Sequence, residues 1–276
     1  MNLVWALLVI VAAAGVAVGV LLFVRRGAPE GSYFNDGDRA AGVFGVLATG
    51  FAVLLGFVVF LAFESYDGAR SGAESEALVV AQQFETAQFL PEGVRRRLSD
   101  ELVCYARHVV SREWPQMEQG NRTDAINPWG VALFRTLKTT EPRASSEQSA
   151  YDKWLDQTSA REEARNDRLH PAEGIIPTPL WLVLFLSAAL IFGFMIFFAD
   201  SGERAIVQGV LIGTVTVVIV AMLLLLRSLD TPFHEGVGGL KPTAMERTLG
   251  VLEEEREIVG DDSPLPCDEE GSATRS

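Results

Sequence analysis

"GVFGVLATGFAVLLGFVVFLAFESYDGARSGAESEA" runs from Gly42 to Ala77. From Ala40 to Phe63 it carries no charge and is long enough to cross a bilayer as a helix, which takes ~20 apolar residues. From Glu64 onward charges arrive at once, yet no proline interrupts the pattern. The reading is one helix that leaves the membrane and keeps going. If continuous over residues 40–89, it is about 75 Å long.

Three further blocks have the same character: Leu3 to Val24, Leu180 to Ala199 and Ala205 to Leu226. None contains a charge, so the four are read as membrane spans at about 3–24, 40–63, 180–199 and 205–226. The first is read as an uncleaved span, because its basic pair, Arg25 and Arg26, follows the apolar run instead of preceding it.

The expected fold is therefore all-α: a polytopic membrane protein with four transmembrane helices and a helical middle domain inserted between the second and third. The expected divisions are 1–63 (spans one and two), 64–176 (the helical domain continuing span two), 177–230 (spans three and four) and 231–276 (an acidic, disordered tail). Within the tail a short helix at 244–258 is the one expected element.

In the middle domain, Val94, Leu98, Leu102, Tyr105 and Val109 recur at helical spacing as a core-facing stripe, in a helix expected to run from Pro91 to about Glu118. Asn127 and Pro128 have the form of a cap and first turn. Gln148 to Leu169 makes a last, very polar helix. Residues 25–39 and 200–204 are the short loops at the other end of the spans.

Net charge is −13 with no basic stripe, which argues against nucleic acid as a partner. The two cysteines, Cys104 and Cys267, have no metal-ligand or redox spacing. Cys104 reads as a small apolar core residue, and Cys267 carries no assignment. His108, His170 and His234 are scattered and share no ligand pattern. No phosphate loop, nucleophile elbow or intramembrane carboxylate pair is present in the sequence, so no enzyme, metal site or cofactor is expected.

On a helical wheel of span two, Ala41, Gly45, Ala48, Ala52 and Gly56 share one narrow face. Such a stripe suits helix packing or a pore axis. Continued outward, the same face carries Tyr66, Asp67, Arg70, Glu74, Ala77 and Ala81. Asp67–Arg70 and Arg70–Glu74 have ion-pair spacing. The plain reading is a solvated turn with weak pairs; the sharper one is a charged collar at a pore mouth. Gly209 and Gly213 in span four form a small-residue pair suited to packing. Gln208, Thr214 and Thr216 could bond to neighbours or to their own helix. Trp181 is placed as an interfacial anchor, Asp230 as a turn or cap, and Arg227 as a snorkelling cation.

The order of "GVFGVLATGFAVLLGFVVFLAFESYDGAR", "AESEALVVAQQFETAQFLP", "LVCYARHVV", "GIIPTPLW" and "SLDTPF", over about residues 36–240, resembles the bestrophin-like domain family of bacterial membrane proteins. The resemblance implies kinship with bestrophins, which are pentameric anion channels with four spans per subunit and a neck lined by bulky apolar side chains of the second span. Phe44 and Phe51 lie beside the small stripe, not on it, and neither the neck nor the calcium-binding acidic cluster can be matched residue by residue.

The expectation is an oligomeric ion channel in the plasma membrane, with span two near the axis. The alternative is a non-conducting scaffold or sensor, in which the small stripe packs on spans three and four of the same subunit and the acidic tail recruits a protein partner. Sidedness is open. Arg25, Arg26, Arg39 and Arg204 place the short loops inside and the middle domain outside, whereas Arg70, Arg165, Arg168, Arg227 and Lys241 lie near span ends on the other side and bestrophins keep that domain in the cytoplasm.

Overall fold

The computed structural model describes residues 2–121, 126–259 and 263–274. Its named secondary structure is helical throughout: α1 (Leu3–Arg25), α2 (Gly37–Ala87), α3 (Glu92–His108), a π-helical turn (Val109–Glu113), α4 (Trp114–Glu118), α5 (Pro128–Lys138), α6 (Ser145–Leu169), α7 (Thr178–Phe197), α8 (Ala205–Asp230) and α9 (Thr243–Ile258). Four helices, α1, α2, α7 and α8, are long and apolar enough to cross a membrane. The chain divides into two compact units. One holds residues 1–65, 175–230 and 235–238; the other holds 66–174, 231–234 and 239–276. Helix α2 supplies residues to both.

The first unit is built from apolar faces. Phe51, Leu55, Val58 and Ala62 of α2 are buried with Leu184, Ala188 and Ile191 of α7 and Ile219 and Leu226 of α8. A second cluster joins Leu21 of α1 to Ile212 of α8 and Ala199. The Cβ position of Gly209 lies 3.5 Å from Val18 Cγ1, and that of Gly213 lies 3.5 Å from Val18 Cγ2. A Cβ at either position would therefore make ordinary contact with α1, so the approach of α1 to α8 does not require glycine. Much of the remaining apolar surface is exposed, including Val46, Phe57, Phe185 and Val210. In water this would be a liability; against lipid it is the expected outer surface.

Polar groups in this unit are satisfied locally or gathered at its ends. Thr214 and Thr216 donate to the carbonyls of Val210 and Ile212 on their own helix, at 2.8 and 2.7 Å. At one end the two short loops meet. Arg25 donates to the carbonyls of Asp200 (3.0 Å), Ser201 (3.1 Å) and Glu203, while the Asp200 carboxylate accepts from Gly31 N and Gly202 N. Gln208 Nε2 joins this cluster through Asp200 O and Glu203. At the other end buried Asp230 accepts from the backbone N–H groups of Ile175 and Ile176, both at 2.9 Å. That bond explains why "GIIPTPLW" and "SLDTPF" go together: the acid of one segment caps the irregular backbone of the other. Arg227 lies 3.7 Å from the same carboxylate.

The second unit has a conventional core. Leu98, Leu102, Tyr105 and Val109 of the α3 stripe are fully buried with Val80, Phe84 and Ala87 of α2, Leu133 and Leu137 of α5, and Trp154 of α6. Asn127 caps α5 through Trp129 N at 3.0 Å, with Pro128 in the first turn.

One expectation is corrected here and another is extended. The tail is not disordered across its described residues. Helix α9 packs Met245 and Leu252 into the core, and residues 263–274 fold back onto α3; Asp261 and Asp262 lie outside the described residues. Few apolar residues suffice because the tail adds only an edge to an existing core. Cys104 is buried in the core as expected, and in addition it forms a disulfide with Cys267 that was not expected. Sequence spacing could not reveal a partner 163 residues away.

Candidate functional site

The most distinctive chemistry outside the spans is a buried ionic network in the second unit. Helix α6 presents Arg161, Arg165 and Arg168 at four- and three-residue spacing, which puts them on one face. Arg168 is fully buried. Its Nε donates to Glu76 Oε2 at 2.5 Å and its Nη2 to Glu76 Oε1 at 3.0 Å; the same Nη2 reaches Glu113 Oε2 at 2.6 Å. Glu113 Oε1 also accepts from Arg165 Nη2 and from Asn127 Nδ2, each at 3.0 Å. Tyr105 donates to Glu76 Oε1 at 2.6 Å. One turn further out, Arg161 lies over the Tyr105 ring at 4.9 Å and binds Gln83 and Glu162, each at 3.0 Å.

The backbone makes this arrangement reachable. Gly72 of α2 sits so close to α6 that an added Cβ would lie 2.7 Å from Arg168 N and 2.8 Å from Ala164 O. The π-helical turn at Val109–Glu113 widens the helix locally, a feature often found where side chains must be redirected. Glu113 is its last residue and is buried.

Charge balance decides what this cluster can do. Three guanidinium groups meet the carboxylates of Glu76, Glu113 and Glu162, so the network is internally neutralised. Burial alone would push Glu113 up, but Arg168 and Arg165 outweigh it and hold the carboxyl below its ordinary value. Burial opposes the Arg168 charge too, and Glu76 and Glu113 overcome it, so the guanidinium stays protonated. Such a cluster is a lock between α2, α6 and the π turn, not an acid–base pair.

One carboxyl stands apart. Glu101, buried on α3, accepts from Thr136 Oγ1 at 2.9 Å, while its other oxygen has no hydrogen-bond partner among the described residues. Burial raises its pKa to about 7 against the opposing pull of the Thr136 bond.

The residues singled out by sequence fall in two places. In the first unit, Ala41, Gly45, Ala52 and Gly56 are exposed and Ala48 is half-buried; nothing lies within 4 Å of a Cβ built on Gly45 or Gly56. Span two turns the face of Phe51, Leu55 and Val58, not its small one, toward α7 and α8. Phe51 belongs to that face, and Phe44 meets Phe194 at a tilt and Phe198 edge-on. In the second unit, Arg70 and Glu74 are exposed and paired at 3.0 Å. Arg70 reaches forward to Glu74, and Asp67 is a weaker, exposed electrostatic neighbour. Arg70 and Glu74 line a groove of about 480 Å³ with Tyr66, Lys241 and Arg247, while Ala77 is buried in the core.

The ionic network escaped the sequence reading because its signal is relational. Arg161, Arg165 and Arg168 share a face of a very polar helix, and no spacing marks Glu76 and Glu113 as their partners.

Comparison with known proteins places this architecture. Solved structures share the fold at low sequence identity. A membrane protein aligns with TM-score 0.67 and 15% identity, over 91% of this chain and 99% of its own. A variant of a bacterial bestrophin homologue from Klebsiella pneumoniae aligns with TM-score 0.66 and 14% identity, over 94% and 99%. A second variant of that homologue gives 0.60 and 15%, over 94% and 99%. No curated protein matches the chain significantly in sequence. Residues 9–245 match the bestrophin-like domain, and with four apolar helices of spanning length the chain is a membrane protein that belongs to the bestrophin-like family.

Proposed function

We propose that the protein is an oligomeric, bestrophin-like ion channel of the plasma membrane, with anions the expected cargo. It is a non-enzymatic pore in which the second span lies near the symmetry axis and the helical domain is inserted between spans two and three. The observation that carries the reading is the two-faced character of α2. Its face of Phe51, Leu55 and Val58 is used within the subunit, and its small-residue face is left bare. A helix backbone stripped of side-chain cover gains most from close approach of another helix, here a second copy. Family membership supplies the precedent for a channel, and the solved homologue structures share the fold. Asp67, Arg70 and Glu74 are the proposed collar just beyond the span, each subunit contributing one set of the three to the ring.

The test is anion and cation flux from liposomes holding the purified protein, with the oligomeric mass measured in the same detergent. The expected result is flux from a defined oligomer, and Arg70→Ala shifts ion preference several-fold with assembly intact. A stable monomer with no flux at any calcium concentration or pH would reject the channel reading.

The scaffold alternative draws on a different observation: α2 runs unbroken from Gly37 to Ala87, and α9 exposes Glu254 and Glu257 as an acidic surface for a protein partner. Its proposed use of the small stripe within the subunit has no support, because that stripe is exposed.

A further inference from the structure

Both cysteines of the chain are joined, Cys104 of α3 to Cys267 of the C-terminal segment, with Cα atoms 5.8 Å apart. The pairing is embedded in a built clasp. Around it, Trp129 Nε1 donates to Gly271 O at 2.7 Å, Arg107 Nη1 to Asp268 O at 3.2 Å and Arg112 Nη2 to Ser272 Oγ at 3.1 Å. Gly271 adopts φ +73°, and an added Cβ would collide with the backbone N and Cα of His108. Only glycine lets the segment press this closely against the start of the π turn. Arg107 also pairs with Glu253 of α9 at 2.7 Å. The thiols are therefore brought together by a surface shaped to receive the tail.

Structural disulfides persist in oxidising compartments and are rare in the reducing cytosol. A second, independent observation concerns the first unit. Its two short loops meet at one end through Arg25 and Asp200, and that end carries Arg25, Arg26, Arg39 and Arg204. On the other side of the spans, Arg227 lies beside Asp230, and Arg70, Arg165, Arg168 and Lys241 belong to the long middle and C-terminal segments. Basic residues in short loops stay on the cytoplasmic side, whereas long segments translocate with little regard to charge. Cysteine chemistry and loop charge thus agree.

We propose that residues 66–174 and the C-terminal segment face an oxidising compartment outside the cytoplasm, where the Cys104–Cys267 disulfide clasps the tail onto α3. This is the reverse of the bestrophin orientation, and it holds whether or not the protein conducts ions. Formation of the bond removes two protons and two electrons from the two thiols. The acceptor is a disulfide of a thiol oxidant in that compartment, reduced to a dithiol by exchange.

The experiment uses the full-length chain in intact cells. Single reporter cysteines, Asp38→Cys in the first loop and Ser145→Cys at the start of α6, are probed with a membrane-impermeant maleimide before and after permeabilisation. In parallel, free thiols of the wild-type protein are counted by maleimide mass shift under denaturation, with and without reductant. The proposal expects Ser145→Cys to label in intact cells and Asp38→Cys only after permeabilisation. It expects no free thiols without reductant and two with it. Labelling of Asp38→Cys but not Ser145→Cys in intact cells would overturn the orientation. Two free thiols without reductant would overturn the clasp. Both readouts are independent of ion flux.

Discussion

The two units solve the burial of polar groups in opposite ways. The unit of residues 1–65 and 175–230 keeps charge out of its interior. Its core is Phe, Leu, Val and Ile, its hydroxyls bond back to their own helices, and its ions sit at the ends on Arg25, Asp200 and Asp230. The unit of residues 66–174 and 239–276 buries Glu76, Glu113, Arg161 and Arg168 at its centre and adds a disulfide. Lipid offers no partner for an unsatisfied polar group, so membrane helices satisfy theirs internally. A water-facing domain can bury ions if every one is paired, at the risk that losing one partner strands the rest. Where polarity sits therefore reports the surroundings in which each unit packs.

The largest expected effect comes from breaking the ionic lock. Arg168→Ala leaves Glu76 and Glu113 buried with fewer cations, and should destabilise the second unit by about 3–5 kcal/mol. Arg168→Met should be milder, since it removes the charge but keeps much of the volume. Both are read as losses of thermal midpoint in detergent. If Arg168→Ala unfolded no more readily than wild type, the network would be ornamental.

A matched pair of glycines sharpens the contrast. Gly72→Ala forces a Cβ to 2.7 Å from the Arg168 backbone and should be destabilising by about 1–3 kcal/mol or more through overpacking. Gly213→Ala meets only Val18 Cγ2 at 3.5 Å and should fall within about 1 kcal/mol of neutral, helped by helix propensity. Equal effects on thermal stability would mean that the two interfaces are not packed as differently as described.

A smaller effect is expected at Glu101. Its folded pKa of about 7 lies above the ordinary 4.5. The folded state therefore holds this proton more tightly than the unfolded state. The stability this proton supplies is complete below about pH 4.5 and is lost as pH rises through 7. Glu101→Gln should then stabilise the protein at pH 8 by on the order of 1 kcal/mol, discounted for partial solvent access, and change little at pH 4. The check is a thermal midpoint measured across that range; a uniform offset at all pH values would assign the effect to something other than this carboxyl.

The sequence disclosed the units unequally, for the same physical reason. A membrane span is a local property of composition, so four spans and the unbroken passage of α2 beyond Phe63 could be read directly. So could the Asn127 cap and the Leu98–Val109 stripe. The ionic lock, the π turn and the disulfide depend on which distant residues meet, and a single sequence does not encode that in any spacing. The helix of Gln148 to Leu169 was legible, but its partners were not, because a charged stripe looks the same whether water or carboxylates await it. The tail misled because its few apolar residues, Met245 and Leu252, are enough once a core exists to receive them.

The central claim is that the bare small-residue face of α2 meets other copies of the chain. The most direct measurement is thiol crosslinking in native membranes of Ala52→Cys, with exposed Phe185→Cys on α7 as control and a short bifunctional reagent applied to both. The account predicts covalent dimers and higher ladders from Ala52→Cys and essentially none from Phe185→Cys. Monomeric Ala52→Cys, in protein shown to be folded and inserted, would contradict it and leave that face to lipid.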